Sequence, residues 1–65
     1  MRVVGDVVIV IDVNAAGVIE SVKRFKDGMI TYLIRTIAGT LYAREEIDIE
    51  TPADTEIVET MKQDM

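Results

Sequence analysis

The dipeptide Asp27-Gly28 constrains this chain more than any other feature. It separates VIESVKRFK (18–26) from MITYLIRTI (29–37), two runs rich in β-branched residues. A two-residue type I′ hairpin needs positive φ at both loop positions, and Asp-Gly is among the pairs that supply it. Ala38-Gly39 marks a second tight turn before TLYA (40–43). The two turns predict a three-stranded antiparallel meander. Upstream, GDVVIVID (5–12) is β-branched and apolar on both faces, which suits a strand covered on two sides. Asn14 and Gly17 in VNAAG (13–17) interrupt it. Downstream, REE (44–46) reads as a single 3-10 turn, and IDIE (47–50) alternates as a closing strand.

The last fifteen residues have a different pattern. Thr51, Pro52 and Asp54 suit the N-cap, first and third positions of a helix. Ile57 and Met61 then fall one turn apart on a common stripe, with Val58 and Met65 beside it. A helix this short is marginal alone and needs a surface to dock on.

The segments GDVVIVID and GVIESV, the turns DG and AG, and LYAREEIDI together resemble the SH3-like small β-barrels, the group that includes KOW and Tudor modules. The resemblance spans residues 4–50. It implies a mainly β chain, a five-stranded SH3-like barrel over 1–50, to which the capping pattern above adds a short C-terminal α-helix in 51–65. That acidic tail is expected to pack on the barrel or on a neighbouring subunit. No function follows from the resemblance, because the fold hosts many roles.

If Asp27-Gly28 is a two-residue turn, Val22 pairs with Leu33, and Glu20 pairs with Arg35 as a cross-strand ion pair. The Ala38-Gly39 turn then pairs Arg35 with Tyr42. One face carries Ile19, Phe25, Ile30, Tyr32, Ile34, Leu41 and Ala43 and is the expected core. Either Val7, Ile9 and Ile11, or Val8 and Val10, close over it. The other face mixes Glu20, Arg24, Thr31 and Arg35 with an apolar centre at Val22, Leu33 and Tyr42. Leaving several such side chains wet forgoes several kcal/mol at ~25 cal/mol per Å². The C-terminal helix, a second copy of the chain, or strands bent enough to bury both faces would each cover them.

A domain of 65 residues buries only ~60% of its unfolded surface. Small domains commonly add disulfides, a metal or partner subunits. The chain has neither Cys nor His, which removes disulfides and disfavours structural zinc. Association with other subunits, or an unusually efficient core, is the remaining device. The lack of Cys fits a cytoplasmic protein. No apolar run approaches the ~18 residues of a membrane span. MRVVGDVVIVIDV, with Asp6 and Asp12 flanking its apolar run, reads as a strand rather than a secretory leader.

No catalytic signature is present. His and Cys, the commonest general base and the thiol nucleophile, are missing, and the lone Ser21 has no base in its pattern. Glu45, Glu46, Asp48 and Glu50 offer oxygen ligands, but their plainer reading is a solvated edge. No enzyme activity, cofactor or metal is therefore expected. The net charge of −5 is uneven. Residues 1–44 hold six cations against four carboxylates, net +2, and residues 45–65 hold one lysine against eight, net −7.

The expected role is a non-enzymatic protein-interaction or assembly module, a homo-oligomer with contacts at Val22, Leu33, Tyr42, Ile57 and Met61. A phage or other mobile element's accessory protein is compatible with so compact, acidic and Cys-free a chain. The alternative is nucleic-acid binding along a basic hairpin rim of Lys23, Arg24, Lys26 and Arg35. The plainer reading of that rim is a hairpin tip whose cations discourage edge pairing.

Overall fold

Both glycine turns form in the computed structural model, which describes residues 2–52, but each loop holds three residues rather than two. In the first, the Phe25 amide donates to the Met29 carbonyl at 2.8 Å, and the Gly28 amide to the Phe25 carbonyl at 3.0 Å. In the second, the Thr36 amide donates to the Thr40 carbonyl at 3.0 Å, and the Gly39 amide to the Thr36 carbonyl at 2.9 Å. This is a type I turn followed by a left-handed glycine. Gly28 has φ 89° and Gly39 φ 86°, whereas Asn14 is the one non-glycine residue at positive φ among the described residues. The reason is steric. A type I′ turn would force Asp27 and Ala38 into the left-handed region, where Cβ meets the following carbonyl. The longer loop needs that conformation only at the glycine. Asp27 instead accepts a hydrogen bond from the Met29 amide at 2.9 Å.

Five antiparallel strands form one curled sheet, a half-barrel. They are β1 (Val7–Val10), β2 (Ala15–Arg24), β3 (Ile30–Thr36), β4 (Leu41–Arg44) and β5 (Ile49–Glu50), in the spatial order β4-β3-β2-β1-β5. Two 3-10 turns, Ile11–Val13 and Glu46–Asp48, join β1 to β2 and β4 to β5. The first strand is thus shorter than 5–12. Of VNAAG (13–17), expected to interrupt the strands, residues 15–17 already belong to β2. The second 3-10 turn takes Ile47 and Asp48 out of the expected closing strand. Among the described residues there is no helix longer than these turns. The helix expected in 51–65, with Ile57 and Met61, lies outside the described residues beyond Pro52. None of the described helices is long and apolar enough to cross a membrane.

The longer turns shift the register. Val22 faces Tyr32 rather than Leu33, and Ile34 faces Tyr42 rather than Ala43. A shift of one residue turns a strand's side chains over. Val22 and Tyr42 therefore pack on the core side instead of forming an outer patch, and Phe25 and Leu41 are exposed instead of being core. A bulge between Ile19 and Ser21 adds a second one-residue offset partway along β2, which turns the side chains back over, so Ile19 faces Ile34 and stays inside. Bulges also raise local twist, which helps to curl the sheet.

Val8, Val10, Ile19, Tyr32, Ile34 and Ile49 make the core, with Val22, Ile30 and Tyr42 packed against it. Of the two sets offered by β1, it is Val8 and Val10 that close over the core. The buried Tyr32 hydroxyl has polar partners, as a buried hydroxyl requires. It accepts from the Arg2 amide at 3.1 Å and donates to Glu46 Oε1 at 3.2 Å. Arg2 also donates to Glu46 Oε2 at 2.8 Å and to Thr51 Oγ1 at 2.7 Å. These bonds tie the chain's beginning to β3 and to the segment around β5.

Candidate interaction surface

Alternation along each strand defines the surface opposite the core. β1 contributes Val7 and Ile9, β2 contributes Ala16 and Val18, β3 contributes Leu33 and Arg35, and β4 contributes Leu41 and Ala43. Val7 and Val18 face each other and are buried with Ala16 packed beside them, a small second cluster. Ile9 and Leu33 are half-buried, and Leu41 is 45% exposed. Ile37, in the adjoining turn, is 58% exposed.

An ion pair lies within this apolar surface. Glu20, the residue left over at the bulge, points outward beside Arg35, whose cross-strand partner is Val18. Arg35 Nε bonds Glu20 Oε1, and Nη2 reaches Oε2 at 3.3 Å. The Glu20 carboxylate raises the pKa of the Arg35 guanidinium. The pair expected from the sequence therefore exists, as a diagonal contact made at the bulge rather than as directly opposed residues.

Of the expected interface residues, only Leu33 lies on this surface; Val22 and Tyr42 are corrected to the core side, and Ile57 and Met61 lie outside the described residues. The same surface also carries Leu41 and Ala43, which the sequence reading puts in the core, and Ile9, from the β1 alternative that does not close over the core. For Leu41 and Ala43 the available signal was the turn type, since a three-residue reading of Ala38-Gly39 turns both outward.

The basic rim does not converge. Lys23 is exposed on the outer face, its ammonium 5.4 Å from the Phe25 ring centroid. Arg24 faces Ile30 on the opposite side of the hairpin, and Lys26 sits in the turn. Arg35 is engaged by Glu20 some way up β3. Of the acidic residues near β5, Glu46 and Asp48 lie in a 3-10 turn and Glu50 in the strand after it. Among the described residues no three acidic side chains group closely enough to hold a metal ion.

At the open side of the half-barrel, Arg44 links the β4 edge to the turn after β1. Its Nε and Nη2 bond the two Asp12 oxygens at 2.9 and 2.8 Å, and its Nη1 bonds the Ala43 carbonyl at 2.8 Å. The guanidinium also lies 5.1 Å from the Tyr42 ring. An inward-reaching charge at a strand edge discourages pairing with another chain. The hydrogen bond from Arg44 lowers the Asp12 pKa below the ordinary aspartate value of 3.8. A depressed folded-state pKa adds stability above the unfolded value, and this is lost as pH falls through the folded value. Urea midpoints should therefore fall on acidification below about pH 4, and Asp12→Asn should flatten that part of the profile while lowering the neutral-pH midpoint. Identical pH profiles for the two proteins would remove the bridge from the account.

No family model matches the chain, and no curated protein or solved structure is significantly similar to it.

Proposed function

We propose that this chain is a non-enzymatic interaction and assembly module on an SH3-like barrel, acting in the cytoplasm as a homo-oligomer through the outer face of its sheet. The strand order β4-β3-β2-β1-β5, with a 3-10 turn before β5, supports the barrel assignment. The observation carrying the function is the outer apolar surface of Leu33, Leu41, Ile9 and Ala43. Exposed apolar surface of this kind marks interaction sites when it is contiguous. A domain this small also gains more from association than a larger one.

Sedimentation velocity on the wild-type chain and on Leu41→Asp tests the reading. The wild type should sediment as an oligomer. Leu41→Asp should sediment as a single chain with an unchanged circular dichroism spectrum, since Leu41 is not a core residue. A wild type that remains a single chain at every concentration would overturn the proposal.

One observation favours a second reading, nucleic-acid binding at the hairpin tip. Phe25 is exposed, with Lys23 over its ring and Lys26 next in sequence. Aromatic and cationic side chains together suit single-stranded nucleic acid. The net charge of −5 and the engagement of Arg35 by Glu20 favour the assembly reading. Mixed oligonucleotides titrated at increasing salt discriminate the two, since phosphate contacts weaken steeply with salt.

A further inference from the structure

We propose that the outer face binds a second copy of itself about a two-fold axis, and that Glu20 and Arg35 exchange partners across that interface. The inference rests on the assembly reading and names its partner. In an isologous interface the same patch meets itself, so the charges beside the axis face charges of the same patch on the second copy. A face of one sign repels its copy. This face presents one carboxylate and one guanidinium side by side, set among Val18, Leu33 and Leu41. Rotated by a two-fold axis, each Arg35 can meet the second copy's Glu20.

The side chains of Arg35 and Glu20 are 43% and 32% exposed, so both are accessible from outside. The bulge makes the arrangement compatible with the core, because Glu20 and Ser21 can both stand outward while Ile19 and Val22 remain inside. Other occupants fit less well. A purely apolar partner would desolvate both charges and leave them only each other, which is costly. A polyanion would satisfy Arg35 and repel Glu20. Residues 53–65, with four carboxylates against Lys62, would repel Glu20 in the same way. A second copy supplies one opposite charge to each.

The test uses the full chain with Glu20→Arg, Arg35→Glu and the double exchange, measured by native mass spectrometry and sedimentation, with circular dichroism as the fold check. Each single variant alone should dimerise about tenfold more weakly or worse, because like charges face across the axis. Mixed one to one, the two should form a heterodimer at least as tight as the wild type. The double exchange should restore the homodimer, which also shows that reversing both charges leaves the fold intact. If the singles do not heterodimerise while Leu41→Asp still abolishes association, the charge exchange is wrong and the outer-face reading survives. If Ile57→Asp in the full chain strengthens association, the tail covers this face and the two-fold proposal is overturned. A monomeric wild type would overturn both.

Discussion

Gly17→Ala should destabilise the protein by about 1–3 kcal/mol, the usual range for forcing atoms into a packed site, and by more if the backbone cannot yield. A methyl built on Gly17 would lie 2.6 Å from Ile34 Cγ2 and 2.8 Å from the Arg35 carbonyl oxygen. The second contact is the more serious, because a rotamer change can move a methyl group but not a carbonyl held in a sheet. Gly17 sits in β2 between Val8 of β1 and Thr36 of β3, so the strand has a neighbour on each side. A domain of this size has a total stability of about 3–10 kcal/mol, and the substitution would consume a large part of it. Urea denaturation measures it. A midpoint equal to that of the wild type would mean that β2 and β3 do not approach this closely at Gly17.

The second large effect contrasts two neighbours on β3. Ile34 is fully buried, facing Ile19 on one side and Tyr42 on the other. Ile34→Ala should cost about 2–5 kcal/mol through lost burial and the cavity left behind. Leu33, one position earlier, points to the opposite surface and is only half-buried. Leu33→Ala should cost about 1 kcal/mol or less in the isolated chain, consistent with surface-level losses, and should weaken self-association instead. Urea midpoints and sedimentation together read both effects. Equal destabilisation by the two substitutions would mean that β3 is packed on both faces within one chain.

These contrasts show which parts of the structure were legible in the sequence. The faces of β3 were correctly read, because Ile30, Tyr32 and Ile34 alternate with Thr31, Leu33 and Arg35 whatever the turns do. The faces of β4 and of the distal half of β2 were not, because they depend on loop length. Asp27-Gly28 and Ala38-Gly39 fix where the chain reverses, but two- and three-residue loops place the same glycine one pairing apart. The steric demand on Ala38, which has a Cβ and no polar group to offset left-handed strain, was the available clue. Ile19 was assigned to the core although its pairing was wrong, because the bulge adds a second one-residue offset and two offsets return the same face inward. Nothing in GVIESV marks that bulge, since its position depends on satisfying the core at both Ile19 and Val22. For the same reason the outer face was read as Val22, Leu33 and Tyr42, whereas the structure keeps Leu33 there, turns Val22 and Tyr42 to the core side and places Leu41 and Ala43 outside. Gly17 read as a loop residue because glycine is rare within strands; its role is visible only once Ile34 and Arg35 are placed against it.

A dilution series of the full chain, followed by methyl and amide NMR shifts, tests most directly whether the sheet's outer surface is where two molecules meet. The account predicts concentration-dependent shifts at Ile9, Leu33, Leu41 and Arg35, with Val8, Ile19 and Ile30 essentially unmoved. Shifts confined to Phe25, Lys26 and Met29, or spectra that do not change with concentration, would contradict it.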